Sequence, residues 1–419
     1  MPAARRRRAL LIAYHFPPLG GVASLRLLRF ARLLPEHGWD TCVLTASRGD
    51  FVRDPSLDFP EQRVRRAFNF ELSRTARGAL RLDPGAAEKL PARSPLARAR
   101  DLARRWLYRP DAQVGWYPFA LSAARALLRD TRCDAIISTA YPMTAHLVAR
   151  RLQRETGLPW VADFRDLWSD WSTDRGLRLR LDRALERDVL ARASAVTTVS
   201  PTYAEVLRGR GARRALVLTN AFDEALFDGP APAPEPATCA YLGTYYPGYQ
   251  DHLDTALRGL GRLRASGRVP GLRLRFIGAE PRGLDPLLRE LGLDACAEST
   301  GFLPHRAAAS ELRRAGVAFF AGPEAAEPPA LRGNVAGKVF EYLAARRPIL
   351  LVGHPESDVA RLLRPFERAR CVPVGDVQAA ADAFEELTAW RGDEERSMLD
   401  AFRSRTLARR LADLLDSLC

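Results

Sequence analysis

Lysine is almost missing from this chain. Only Lys89 and Lys338 occur in 419 residues, so arginine supplies nearly all the basic charge behind a net +14. Lys338 therefore stands out, three residues before Glu341 at the front of a short helical stretch that feeds an apolar strand. Paired cysteine motifs are missing too. The six cysteines, at 42, 133, 239, 296, 371 and 419, form no CxxC and no Cys/His zinc spacing. That pattern excludes an ordinary structural zinc site and fits free, mostly buried thiols in a reducing cytoplasm. No stretch reaches the roughly 18 consecutive apolar residues of a membrane helix. Arg5–Arg8 before "ALLIAYHF" superficially suggest a signal peptide. The apolar run is short, however, and "PPLGG" reads as a turn, so a buried first strand is expected.

Other signatures are absent as well. The first glycine turn is not GxGxxG, and no acidic residue ends the second strand, which gives little support to a dinucleotide site. "DFRD" and "DLWSD" lack DxD spacing, so no metal and no cofactor are expected. No zinc-finger or RNA-binding signature accompanies the basic charge, so no nucleic-acid partner is expected. The charge is unevenly placed: residues 61–130 hold fifteen Arg/Lys against seven Asp/Glu, with Trp106, Tyr108, Trp116, Tyr117 and Phe119 among them. Such a surface suits anionic lipid or a phosphorylated substrate, or is an ordinary solvated face of an arginine-rich protein.

What is present is a repeated strand–helix alternation in a chain long enough for two cores. "ALLIAYHF", "PPLGG", "SLRLLRFARLLPEHG" and "DTCVLTA" open a βαβ unit. Further units run through "DAIISTA", "LPWVADF", "ASAVTTVS" and "ALVLTNAFD". Residues 228–238, "DGPAPAPEPAT", read as a stiff proline-rich linker. The pattern restarts at "CAYLGTY" and ends in a helical tail. The expected architecture is α/β, with two Rossmann-like domains facing a central cleft. Residues 1–227 form the first domain, 228–238 the linker and 239–392 the second domain. Residues 393–419 form a C-terminal helix that crosses back to the first domain.

Ligand chemistry is expected at the carboxyl ends of the strands. Gly20 and Gly21 permit close backbone approach, beside His15 at the end of the first strand. Arg26 and Arg29 follow on the helix, facing either phosphate or solvent. The hydroxyls of Ser138, Thr139 and Tyr141 are expected to face the cleft. His146 is placed either to bond a sugar hydroxyl or phosphate, or to act as a cap. Asp163, Arg165, Asp166 and Trp168 form a charge-dense aromatic loop of the kind that holds polar ligands. In the second half, Gly243 and Thr244 stand at a strand-end bend, and Phe302 and Leu303 offer apolar contact to a base. A helix starting near Asn334–Ala336, including Val335, would carry Lys338 toward a diphosphate and Glu341 toward ribose hydroxyls. The plainer reading of the last two is a surface ion pair.

In order, "HFPPLGGVASLR", "STAYPMTAHLVA", "VADFRDLW", "GFLPH" and "KVFEYLAARRPIL" resemble a GT-B fold glycosyltransferase of the large retaining family 4. The resemblance implies sugar transfer from a nucleotide-diphosphate donor with retention of configuration and without a bound metal. The expected acceptor is a glycan, a lipid-linked molecule or a small molecule. The expected setting is cell-surface polysaccharide or glycoconjugate synthesis. The expected location is the cytoplasm, with peripheral contact to the inner face of the membrane through residues 61–130. By position, Glu341 matches the second glutamate of an E-x7-E motif, and Asp166 matches the acidic position of "RDLW". Gly20 and Gly21 match the first-loop glycines. Lys338, Glu341, Asp166 and His146 are the catalytic candidates. Gly20, Gly21, Gly243, Thr244, Phe302, Leu303, Asn334 and Val335 join Lys338 and Glu341 on the donor side; His15, Tyr141, Arg165 and Trp168 take the acceptor side. The first motif glutamate would fall at Gly333, a departure for which Glu324 or Glu327 offers a substitute. The alternatives are a nucleotide-sugar 2-epimerase, which would process donor without acceptor, and a non-catalytic nucleotide-binding partner subunit.

Overall fold

The computed structural model describes residues 6–48, 53–70, 108–170, 172, 175–230, 232–243, 250–278, 283–324, 328–392 and 396–419. In the first half, strands β1 (Arg7–Ile12), β2 (Trp39–Ala46), β3 (Val64–Ala67), β4 (Ala135–Thr139), β5 (Trp160–Phe164), β6 (Ala195–Thr198) and β7 (Ala215–Val217) pair in parallel. Their order is β3-β2-β1-β4-β5-β6-β7. The strands are nearly all apolar because both faces are covered. Leu10 and Ile12 of β1 enter one core with α2 (Tyr117–Asp130), α3 (Thr144–Thr156), α4 (Gly176–Arg192) and α5 (Pro201–Gly209). Ala9 and Leu11 enter the opposite core with α1 (Val22–Leu33). A short α6 (Glu224–Phe227) ends this half.

The second half repeats the plan. Strands β8 (Glu235–Leu242), β9 (Arg273–Ile277), β10 (Ala297–Ser299), β11 (Ala315–Ala321), β12 (Ile349–Val352) and β13 (Ala369–Val372) are parallel, in the order β10-β9-β8-β11-β12-β13. Helices α7 (Gln250–Ser266), α8 (Asp285–Glu290), α9 (His305–Arg314), α10 (Lys338–Ala344), α11 (Asp358–Leu363) and α12 (Val377–Ala389) surround it. The last helix, α13 (Ser404–Asp416), returns to the first domain. Its Leu407, Leu411, Leu414 and Leu415 are buried in the core beneath α1, each worth about 1.5–3 kcal/mol relative to exposure. Trp39 Nε1 donates to Asp416 at 2.9 Å and so secures the end of the helix. The fold is the two-domain α/β arrangement expected from the strand–helix alternation.

Two local expectations change. Residues 235–238 of the proline-rich stretch are already strand, since β8 begins at Glu235. The close passage of Pro236 leaves room only for the glycine at 316 on β11, where a Cβ would collide with the Pro236 carbonyl. Helix α10 begins at Lys338, not near Asn334, with Gly337 at its cap. Asn334 is extended, and the cleft-lining stretch ahead of the helix is loop. No helix among the described residues is long and apolar enough to cross a membrane.

In each sheet the strand order reverses once, between β1 and β4 and between β8 and β11. Ligands of open α/β sheets bind at these reversals, beyond the carboxyl ends of the strands. Here the two reversals face each other.

Candidate active site

A cleft of about 980 Å³ lies between the domains. Gly21, Tyr141, Arg165, Asp166 and Trp168 line it from the first domain. Gly243, Gly278, Phe302, Leu303, Asn334, Val335, Lys338 and Glu341 line it from the second. The floor of the second-domain wall is backbone. Gly243 (φ 89°) and Gly278 (φ 116°) end β8 and β9 in a conformation that favours glycine. A Cβ on Gly278 would stand 3.3 Å from the Gly243 Cα, so two main chains meet where a ligand can approach both.

Lys338 and Glu341 do not pair with each other. The Lys338 ammonium lies 4.1 Å above the Tyr241 ring and 3.4 Å from the Leu242 carbonyl. Among the described residues no carboxylate forms an ion pair with it, and burial pulls its pKa down to about 7. Glu341 is engaged elsewhere. His305 Nε2 donates to its Oε1 at 2.8 Å, and Arg29 Nη2, arriving from α1 of the first domain, lies 3.7 Å away. Burial pushes the Glu341 carboxyl up, but His305 and Arg29 more than offset it and hold it below the usual carboxylate range.

The same histidine ties the domains together through its backbone. His305 N–H opens α9 and donates to Asp54 Oδ2 of the first domain at 3.0 Å. Asn220 Nδ2 donates to the Val335 carbonyl at 3.2 Å, and Asp358 accepts from Thr202 N and Oγ1 at 2.8 and 3.0 Å. His305, Arg29, Asp54 and Asn220 therefore belong to the site or its frame. "GFLPH" drew attention to the loop but not to His305 itself. Asp54 gave no signal, because its role depends on a contact 251 residues away.

On the first-domain wall, Asp166 lines the cleft with its pKa raised by burial, although the Arg165 guanidinium beside it pulls the other way. Arg165 Nη1 donates to the Ala23 carbonyl at 3.0 Å. Other expected site residues do not reach the cleft. His146 is fully buried and stacks on Phe164 at 4.5 Å, and its Nδ1 lies 2.7 Å from Ser138 Oγ, which also accepts from Trp160 Nε1. Burial lowers its pKa to about 3. It is a core histidine because the third position of α3 faces the sheet. Thr139 and Asp163 also turn inward. Asp163 accepts from Thr139 and Thr197 at 2.8 Å and from both Nε and Nη2 of Arg26, whose remaining donors take the Leu218 and Thr219 carbonyls. Arg26 thus binds α1 to the strand ends rather than meeting phosphate or solvent. His15 packs edge-on to Tyr14, its pKa lowered to about 4 by burial and by Arg165, and does not line the cleft. Gly20 is buried beside the lining residue Gly21. Thr244 lies outside the described residues.

Residues 20–221 match a family described as a glycosyl transferase 4-like domain. The whole chain superposes on sucrose-phosphate synthase from Thermosynechococcus elongatus with TM-score 0.60 and 16% identity, covering 99% of this chain and 95% of that one. It superposes on the lipopolysaccharide outer core galactosyltransferase WaaB with TM-score 0.59 and 13% identity, covering 98% and 99%. WaaG, a glycosyltransferase involved in lipopolysaccharide biosynthesis, gives 0.56 and 14%, covering 98% and 97%. At these identities the structural likeness is one of fold. No curated protein matches the sequence. Residues 20–221 thus resemble the glycosyl transferase 4-like family, and the whole chain has the two-domain GT-B fold of these structures.

In this chain Gly333 stands where the first motif glutamate would fall, and a side chain there meets a steric obstacle. Gly333 packs against α5 of the first domain. A Cβ there would collide with the Tyr203 ring, lying 2.8 Å from its Cε1, and would stand 2.9 Å from Ser200 Oγ. Glu324 does not replace the missing carboxylate in the cleft, because its Oε1 lies 3.2 Å from His252 Nδ1. Glu327 lies outside the described residues. Among those residues, no group of three or more His, Cys, Asp or Glu side chains is placed to hold a metal ion.

Proposed function

We propose that the second-domain wall binds a nucleotide-diphosphate sugar and that the sugar passes, with retention of configuration, to a hydroxyl held on the first-domain wall. The observation that carries this reading is Lys338. It is a half-buried cation facing the cleft with no carboxylate partner among the described residues, one helical turn from Glu341 and beside the Gly243–Gly278 floor. A diphosphate over that floor would restore full charge to Lys338. Glu341 would accept from the ribose hydroxyls, and Phe302, half exposed at the cleft, would cover the base.

In the transfer, the bond between the anomeric carbon and the diphosphate oxygen breaks. The acceptor oxygen forms its bond to the same face of that carbon. The acceptor proton passes to the departing phosphate oxygen. Lys338 would stabilise the charge that grows on the diphosphate, an effect strengthened in a cleft that excludes water. Asp166 would orient the acceptor hydroxyl by accepting its hydrogen bond.

A thermal-shift series with UDP-, GDP- and ADP-sugars tests the donor assignment. One base is expected to raise the melting temperature, with stabilisation of about 2.7 kcal/mol at a hundred times Kd. Glu341→Ala should lose most of that shift. Proton NMR of the transferred sugar should show the donor's anomeric configuration. No stabilisation by any nucleotide sugar, or an inverted product, would refute the reading.

A cytoplasmic location with peripheral membrane contact belongs to the same proposal. Most of the basic segment, 71–107, lies outside the described residues. Beside it, Phe68 and Phe119 pack edge-to-face at 5.0 Å and remain exposed, as does Phe70, a combination that suits an anionic bilayer surface. Sedimentation with vesicles containing 30% phosphatidylserine should remove the protein from solution, and phosphatidylcholine vesicles should not. Equal retention by both would end this part.

A further inference from the structure

Helix α10 packs on one face of the second sheet, yet the Lys338 ammonium lies over a ring rooted in the other. Val339, Phe340 and Leu343 of α10 share a core with Leu242, the last residue of β8. Tyr241, one position earlier, points into the opposite core, because successive side chains of a strand alternate. The Lys338 side chain therefore crosses the carboxyl end of β8. Its ammonium rests 4.1 Å from the centre of the Tyr241 ring and 3.4 Å from the Leu242 carbonyl.

Both supports are fixed from behind. The Tyr241 ring is buried and tilted against Phe319 at 5.6 Å and Phe276 at 6.3 Å. The Leu242 backbone is held by Tyr342, one turn beyond Lys338 on α10. The last paired residues of β8 and β11 are Ala240 and Ala318. Beyond them the Tyr342 hydroxyl stands between the strands, accepting from Leu242 N–H at 2.9 Å and donating to the Phe319 carbonyl at 3.2 Å. A carboxylate anchor would neutralise the lysine. A ring face attracts the ammonium through its quadrupole and adds no formal charge, so the positive charge stays open to an anion in the cleft.

We propose that Tyr241 is a positioning residue: its ring carries the Lys338 ammonium across the end of β8, favours its charged form and holds it at the cleft. The anion that this ammonium meets rests on the reading above, in which a nucleotide diphosphate occupies the second-domain wall. Burial acts against the ring and lowers the lysine pKa to about 7, so the charge state is balanced where a ring can tip it. The neighbouring titratable groups are Glu341 and Tyr342 on α10, His305 on α9, and His252 on α7, which stands 3.2 Å from Glu324. Glu341 is held below the carboxylate range and Tyr342 well above its ordinary value, while burial lowers His252.

The test uses the full chain with 13C-labelled lysine. Only Lys89 and Lys338 then give Hε–Cε signals, and that of Lys338 is the one lost in Lys338→Arg. This signal reports its own ammonium and so separates it from His305. Without nucleotide, the Lys338 Hε protons should lie upfield of those in a lysine amide standard, as protons over a ring face do, and should titrate near pH 7. Tyr241→Phe should preserve both properties. Pentafluorophenylalanine placed at 241 by nonsense suppression keeps the shape of the ring but reverses its quadrupole. The charged form then loses its support, and the midpoint should fall by about one pH unit. Affinity for whichever UDP-, GDP- or ADP-sugar stabilises the wild type should drop roughly eightfold at pH 7.5 but only about twofold at pH 6, where more of the ammonium stays charged. A purely structural lesion would weaken binding equally at both pH values. An Hε signal at the position of the standard, a midpoint unmoved by fluorination, or equal losses at the two pH values overturns the proposal. The nucleotide-free titrations keep the two readings apart: a midpoint that follows the ring in a protein that binds no nucleotide sugar removes the donor assignment alone.

Discussion

Restoring the motif glutamate with Gly333→Glu weakens the protein instead of improving it. A Cβ at 333 would enter the space of the Tyr203 ring and crowd Ser200 Oγ, both on the first domain, whereas Gly333 leads into the donor-side loop. Overpacking a close-packed contact costs about 1–3 kcal/mol, and burying a carboxylate without a partner adds to it. A total of roughly 3 kcal/mol corresponds to a fall in melting temperature of the order of 5–10 °C. Because the contact joins the domains, donor turnover should fall as well. A double-mutant cycle with Tyr203→Ala isolates the clash. Each single change destabilises, and the pair should cost at least 1 kcal/mol less than the sum, since removing the ring opens the space the glutamate needs. Calorimetry of the four proteins reads this directly. Wild-type stability together with a higher kcat in Gly333→Glu would mean that the loop at 333 moves freely and that the glycine is not sterically required.

The second large effect is a pH dependence of donor binding that is carried by Lys338. Burial holds its pKa near 7 in the free protein. A bound diphosphate favours the charged form and raises that pKa, so binding takes up a proton between the two values. Affinity is therefore complete below about pH 7 and falls by up to tenfold per pH unit above it, until the pKa of the complex is reached. A nucleotide sugar is the right probe, because its diphosphate diester stays ionised throughout this window. Glu341 and Asp54 are both held below the usual carboxylate range and contribute nothing there. Lys338→Ala should flatten the profile and weaken binding at pH 6.5 by about 10- to 100-fold, the worth of a hydrogen bond to a charged group. Lys338→Arg should also be flat but recover part of the affinity, since guanidinium does not titrate. Isothermal titration at pH 6–9, in buffers of different ionisation enthalpy, measures both affinity and proton uptake. A level wild-type profile, or an unchanged slope in Lys338→Ala, would remove the lysine from the diphosphate site.

The fold was legible because its signals are local. Parallel strands covered on both faces must be apolar runs, and the helices between them must carry one apolar stripe. "ALLIAYHF", "DAIISTA" and "KVFEYLAARRPIL" obey these rules over short windows. Their alternation specifies a doubly wound α/β chain whatever the distant residues do. The same local logic marked Lys338, since one lysine in an arginine-rich second half is visible without any partner.

Which side chains enter the cleft was decided only in three dimensions. His146 and Asp166 each follow a strand end in a segment of equal promise, yet one stacks on Phe164 in the core and the other faces the cleft. The difference lies in helix phase and loop path, which spacing alone does not specify. Arg26 and Arg29 are three residues apart on one helix. One is spent on Asp163, and the other reaches Glu341 312 positions along the chain. The proposed ribose carboxylate, its His305 partner and the Asp54 beneath them come together only when two separately folded sheets are set face to face. By itself the sequence determined two sheets and the strand ends where a ligand must lie. The tertiary structure decided which charges are already paired and which remain open, because pairing depends on distances between residues that no local pattern records.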